Sequence, residues 1–244
     1  MHSPAQIIPA ELLLMAYRRG IFPMADDRDD EEVYWVEPRR RAIIPLDRFH
    51  VSRSLARTLR NGTWRVTCDA DFGAVIDACA EPRPGHPKTW ISHRIAASYR
   101  ALHDMGHAHS IEVWDGAELV GGLYGVSFDR VFCGESMFSR RPDASKLALA
   151  WLIAALRRGG FLLHDCQFIT PHLASLGAIE IPRSTYVTLL GEAVAAGAGE
   201  GAGEADGDGV AGSLPRAFAA LLADAEGEAS SPGKLIAQSL THTS

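Results

Sequence analysis

Three features predict an α+β fold with a mostly antiparallel sheet. They are period-2 alternation between residues 110 and 138, an amphipathic helix directly after it, and a buried strand beyond that helix. The alternation runs through SIEVW (110–114), ELVGGLYGVSF (118–128) and VFCGESMF (131–138), and Asp115-Gly116 and Asp129-Arg130 supply the turns of a meander. The helix starts at Asp143 or Ser145, with Leu149, Leu152 and Leu156 on one apolar side and Ala148, Trp151 and Ala155 beside them. Arg157 and Arg158 suit the negative end of its dipole, and Gly159-Gly160 stops it. FLLHDCQF (161–168) then reads as a core strand.

The other elements follow in order. Residues 9–19 read as a short helix, with Glu11 in its first turn, Arg18 and Arg19 in its last, and Gly20 as its left-handed stop. Pro23, Pro38, Pro45 and an acidic insert make 21–49 irregular chain with short strands. A helix carries SRSLARTLR, a strand covers 64–67, a helix 71–80 and a loop 82–88; Ser92 then caps a helix that Gly106 ends. After residue 168, PHLASLGA, IEIPRS and TYVTLL read as helix, strand and helix. Residues 191–213 hold eight glycines, too many to build a core, and read as a flexible linker. Residues 216–225 allow one short helix, and 232–244 are either loose or an edge strand.

Composition narrows the function classes. The chain has 244 residues and is 47% hydrophobic, which fits one large domain or a medium and a small one, and excludes a disordered chain. No stretch nears the roughly 18 to 20 uninterrupted apolar residues of a membrane span. The first residues lack a basic start and run into Glu11, so no secretory signal is expected and a cytoplasmic location is. Cys68, Cys79, Cys133 and Cys166 form no C-x-x-C pair and read as reduced, packed thiols. The net charge of −6 is uneven: residues 191–244 carry net −6 and residues 26–32 net −5, which leaves the remainder at net +5. A basic surface able to meet phosphate therefore stands beside the plain reading of solvated faces.

Four segments exceed what packing requires. In 165–167, strand alternation sends Asp165 and Gln167 to one face and His164, Cys166 and Phe168 to the other. A carboxylate and a carboxamide leaving a core strand together cost several kcal/mol if unpaired, so they form either a buried network or a site. Glu135 in GESM is either an edge-strand glutamate or a reactive acid. Ser139-Arg140-Arg141 leading to Ala144-Ser145-Lys146 is either an ordinary helix start or an anion site. Trp35 and Trp90 either pack or sandwich a nucleobase, a contact contributing roughly 1–3 kcal/mol per base.

The stretches RRGIFPMA (18–25), YWVEPRRRAIIP (34–45), HVSRSL (50–55), TWISHRIAASYRALHDMGHAHSIEVW (89–114), LVGGLYGV (119–126), FCGESMFSR (132–140), ASKLAL (144–149), DCQ (165–167) and HLASLGAIEIPR (172–183) span most of residues 11–190. In this order they resemble the leucyl/phenylalanyl-tRNA–protein transferase family. The resemblance implies a small N-terminal domain (1–49) and an N-acetyltransferase-like (GNAT-like) catalytic domain (50–190), to which residues 191–244 add a Gly/Ala/Asp/Glu-rich tail. It implies an enzyme that moves Leu or Phe, less readily Met, from aminoacyl-tRNA to the N-terminal α-amine of proteins beginning with Arg or Lys, marking them for N-degron degradation. It also implies no cofactor, no metal, no membrane and a monomeric chain. By position, Asp165, Gln167 and Glu135 match the family's catalytic residues, and Trp35 and Trp90 match those holding the terminal adenosine. Leu123, Phe132, Met137, Leu149 and Leu152 match the side-chain pocket, and His164 stands where an aliphatic residue is usual. Arg39, Arg40, Arg41 and Lys146 are the candidate contacts to tRNA phosphates. Such a reaction is aminolysis of an activated ester, so placement of the amine matters most. Gln167, only an acceptor at its carboxamide oxygen, would orient that amine while Asp165 fixes the Gln.

Three other readings are open to the sequence. The order of strands and helices suits a CoA-dependent N-acetyltransferase, but 139–146 lack the glycines of a pyrophosphate loop. His103, His107 and His109 resemble a metal cluster, yet Gly106 ends the helix before the i,i+4 face is complete. A non-catalytic RNA-binding module would leave Asp165 and Gln167 unexplained.

Overall fold

The computed structural model describes residues 7–82, 87–198, 211–227 and 230–241. The expected loop at 82–88 lies partly outside these residues, as do 199–210 of the expected linker and 242–244 of the terminal segment.

The chain begins with α1 (Ala10–Tyr17), which buries Leu13, Leu14 and Tyr17, and with the short pair β1 (Phe22–Met24) and β2 (Tyr34–Val36). Next come β3 (Arg40–Ile43), α2 (Arg53–Asn61), β4 (Arg65–Cys68), α3 (Phe72–Ala80) and α4 (His93–Asp104). Side chains cap three of these helices: Ser52 accepts from Leu55 N, Asp71 from Ala74 N and Ser92 from Ile95 N. The meander forms as expected, as β5 (Ala108–Asp115), β6 (Glu118–Phe128) and β7 (Val131–Ser139). It is followed by α5 (Ala144–Arg158), β8 (Leu163–Gln167), α6 (Pro171–Ala174), β9 (Ile179–Pro182), α7 (Arg183–Ala198), α8 (Leu214–Gly227) and α9 (Pro232–Thr241).

Seven strands form one sheet in the order β4-β5-β6-β7-β8-β3-β9. Among the described strands β7 and β8 are the one parallel pair, with Phe132 opposite His164 and Cys133 opposite Asp165; α5 is their crossover. Arg40–Ile43, expected inside the small N-terminal unit, supplies the strand between β8 and β9, so β8 has a neighbour on both sides, while past Asp165 it pairs with β3 alone. One face of the sheet packs on α5, which is buried almost all round because α2, α8 and α9 cover its outer side. The other face packs on α1, α3, α4 and α7. Gly121 lets α5 start close against β6: a Cβ there would lie 2.5 Å from that of Ala144.

The C-terminal region departs from expectation. Residues 191–198 continue α7 rather than opening a linker, and 232–241 form a helix rather than an edge strand. The helix expected at 216–225 spans Leu214–Gly227. Leu214, Ala217, Phe218 and Leu221 fall at i, i+3, i+4 and i+7, and Gly233, Ile236, Ala237 and Leu240 repeat that spacing. Both stripes bury against α5 or α2 despite the glycine-rich chain before them, and Phe218 lies 5.2 Å from Trp151, centroid to centroid.

Candidate active site

A cavity of about 570 Å³ opens between α5, α6 and the ends of β7 and β8. Leu123, Met137, Leu149 and Leu152 give it an apolar lining, and Glu135, His164, Cys166, Gln167 and His172 stand among them. Phe132, expected in this wall, does not line it. Its ring packs over Gly125 and lies 5.9 Å from the His164 ring, so His164 occupies the wall where Phe132 was expected.

Asp165 and Gln167 do not share a face. Gln167 adopts φ 56°, and this left-handed residue breaks the alternation of β8, turning the carboxamide to the cavity beside Cys166 and His164. Asp165 faces the opposite side and is fully buried. Its Oδ1 accepts from Arg41 Nε at 2.8 Å and from the Gln167 backbone N–H at 2.9 Å. Its Oδ2 accepts from Arg41 Nη2 at 2.5 Å, Tyr186 Oη at 3.0 Å and Cys133 Sγ at 3.5 Å. Asp165 thus holds the backbone turn that aims Gln167, and it does not line the cavity.

Arg41 corrects the phosphate assignment. It is 1% exposed, sandwiched between the rings of Phe22 and Tyr186, and donates its remaining edge to Gly20 O at 2.9 Å. Burial works to lower its pKa, but the charge and hydrogen bonds of Asp165 outweigh that and raise it. A buried carboxylate needs a cation, and β3 beside β8 supplies one. Of the other candidate cations, Arg39 is exposed, Arg40 is exposed and paired with Glu180, and Lys146 is half-buried and paired with Asp143 at 2.8 Å.

Glu135 is the extra residue of a β-bulge. Gly125 pairs with Gly134 and Tyr124 with Ser136, which leaves the glutamate between them unpaired and free to reach both the cavity and the core behind. Its Oε1 accepts from Tyr17 Oη at 2.8 Å and from Gln167 Nε2 at 3.4 Å, and its Oε2 accepts from Tyr99 Oη at 3.3 Å. Tyr17 and Tyr99 are hydrogen-bonded to each other. Burial pushes the Glu135 carboxyl up to about 8, with Asp165 adding to the rise and the Tyr17 and Tyr99 bonds and Arg41 opposing it. The sequence reading missed both tyrosines and Tyr186, which pattern alone marks only as core aromatics.

Trp35 is exposed and Trp90 half-buried, and neither lines the cavity. Both border the end of β1: Trp35 pairs with Pro23, and Trp90 O accepts from Ala25 N at 3.3 Å. That strand touches the chain just past Gln167, where Phe22 packs edge-on against Phe168 with centroids 5.8 Å apart. Two of the histidines weighed as metal ligands have other partners: His109 Nδ1 bonds Asp69 at 2.7 Å, and His103 Nδ1 bonds Ala108 O at 2.8 Å.

A family profile described as leucyl/phenylalanyl-tRNA protein transferase matches residues 43–191, and a profile for that transferase's N-terminal domain matches residues 8–39. The chain belongs to the leucyl/phenylalanyl-tRNA protein transferase family. A leucyl/phenylalanyl-tRNA–protein transferase of Novosphingobium aromaticivorans is 64% identical over 256 residues, covering 97% of each chain. One from Cereibacter sphaeroides is 59% identical over 193 residues, 79% of this chain and 88% of the relative. One from Zymomonas mobilis is 57% identical over 190 residues, 78% of this chain and 71% of the relative. Membership makes the chain an enzyme, a transferase, and sets aside both the acetyl-CoA reading and the non-catalytic one. The larger family match contains the cavity, Glu135 and Gln167; among the described residues, no helix is long and apolar enough to cross a membrane.

Proposed function

We propose that the enzyme moves Leu or Phe, and less readily Met, from aminoacyl-tRNA to the N-terminal α-amine of proteins beginning with Arg or Lys. In this reading it works in the cytoplasm, as a monomer, and marks those proteins for N-degron degradation. One observation carries the reading: a carboxamide and an acid, Gln167 and Glu135, stand 3.4 Å apart on the edge of a large apolar cavity. Leu123, Met137, Leu149 and Leu152 take the donor side chain, and Trp35 and Trp90 stack on the terminal adenosine. The meander and the parallel β7–β8 pair around α5 support a GNAT-like reading of the catalytic unit.

The chemistry follows from these groups. Gln167 donates its N–H to Glu135, which leaves its oxygen free to accept from the attacking amine and aim it at the ester carbonyl. The new amide C–N bond forms and the ester C–O bond breaks. Glu135, protonated at pH 7, gives its proton to the departing ribose oxygen and takes the amine's proton in exchange. With its pKa pushed up to about 8, Glu135 is close to an α-amine at about 7.7–8, so the proton moves between them at little cost. Donor choice rests on size and apolarity, since one methylene counts for roughly 1–3 kcal/mol. The test is to incubate Phe-tRNA with peptides beginning Arg, Lys or Asp; transfer to Arg and Lys peptides alone is expected. Equal transfer to the Asp peptide, or none to any, would overturn the assignment.

A further inference from the structure

The polar groups of the cavity wall that the chemistry above leaves unused include His164. His164 is 2% exposed, and its Nδ1 has no hydrogen-bond partner among the described residues. Its Nε2 has the Cys166 thiol at 3.9 Å, the long limit for such a contact. Burial pushes the imidazole down to about 4, so the ring is neutral at pH 7. In a neutral histidine, the bond made by one nitrogen fixes the tautomer at the other. With Nδ1 unpartnered nothing pins the proton, and Nε2 can donate or accept. Gly134 lines the same cavity, and a Cβ built there would lie 3.1 Å from Nε2. The glycine therefore keeps side-chain atoms from crowding that nitrogen on the cavity side.

We propose that His164, from its place in the cavity wall, receives the hydroxyl of a tyrosyl group, so that the enzyme also transfers a para-hydroxylated aromatic residue. The proposal rests on reading the cavity as the donor side-chain pocket. A tyrosyl ring suits the lining of Leu123, Met137, Leu149 and Leu152 as a phenyl ring does. Its O–H both donates and accepts, which matches a nitrogen free to do either. A wholly apolar wall would strip water from that hydroxyl and return nothing. A wall with one adaptable nitrogen replaces the lost bond, and it is left unsatisfied by Leu and Phe.

To test this, one tRNA body is charged separately with Phe, Leu and Tyr, and transfer to an Arg-initiated peptide is measured. Wild type is expected to use Tyr within about ten-fold of Phe. His164→Leu should lower the Tyr-to-Phe ratio of kcat/KM by about 10- to 100-fold, whatever it does to Phe transfer itself, while His164→Gln, which keeps a donor and an acceptor, should hold a ratio above that of His164→Leu. Wild-type transfer of Phe and Leu with Tyr below about a hundredth of Phe would overturn the proposal before any variant is made. So would a ratio unmoved by His164→Leu. Absence of transfer with all three donors would instead overturn the transferase reading, and the pocket with it.

Discussion

Replacing Asp165 tests whether this residue is chemical or positional. Arg41 and Asp165 are 1% and 0% exposed and meet through two contacts, at 2.8 and 2.5 Å. Asp165→Asn keeps an acceptor for the Gln167 N–H but strands the guanidinium without its counter-charge. Breaking a buried pair from one side costs about 3–5 kcal/mol, a large part of a total stability of about 5–15 kcal/mol. Removing both charges, Arg41→Met with Asp165→Leu, is about neutral for stability by the same reasoning. It also removes the acceptor that holds Gln167 at φ 56°. Urea unfolding should therefore show the single variant about 3–5 kcal/mol less stable and the double variant largely restored. Phe transfer by the double variant should fall about 100-fold, the cost of moving a positioning group by about 1 Å. A double variant that transfers at the wild-type rate would refute the clamp. A loss of stability under about 1 kcal/mol in Asp165→Asn would refute the buried pair as the strand's anchor.

Glu135 is held protonated up to about 8, against about 4.3 in an unfolded chain, so stability should fall as pH rises from about 4.3 to about 8 and level off beyond, by at most about 1.4 kcal/mol per unit. Glu135→Gln should abolish that slope in urea unfolding measured between pH 5 and 9, and should slow transfer by about 100-fold or more. Leu149→Ala should weaken transfer of Leu more than of Phe, measured as kcat/KM for each donor, and cost about 2–5 kcal/mol of stability. Phe218→Ala, which removes the ring packed on Trp151, should cost about 3–5 kcal/mol in the same unfolding assay even though it lies outside the family match. Transfer from tRNA should weaken as salt rises if Arg39 and Lys146 meet phosphates, and a flat response would remove them from the site.

What the sequence made legible was periodic. The meander, α5 and β8 follow from alternation and a 3.6-residue stripe, and Leu123, Met137, Leu149, Leu152 and Gln167 do line one cavity. What it hid was local backbone. Alternation assumes extended residues, and a single left-handed φ at Gln167 moved its side chain to the face opposite Asp165. The bulge at Glu135 likewise inserts a residue that no pattern of period 2 announces. Arg41 was misread because arginines are mostly exposed and the three-arginine run 39–41 looks like a surface patch. Only its register against β8 brings it to Asp165. The C-terminal helices were legible in spacing but masked by the glycines before them, which argue about the connection and not about what it connects.

The two carboxyl groups show how the sheet divides its labour. Arg41 lies in two-point contact with Asp165, while Glu135, a strand away, receives hydrogen bonds from Tyr17, Tyr99 and Gln167. Burial therefore dominates at Glu135 and lifts it to about 8. A solvated glutamate at about 4.3 would lie nearly four units below the amine, about 5 kcal/mol uphill for accepting its proton. Sealing one carboxyl group with arginine and leaving the other partly desolvated beside phenols gives an anchor and, under the proposed function, a group matched to the amine for proton exchange. An ester already activated on its ribose requires little else: an aimed amine, and a group that takes its proton near neutral pH.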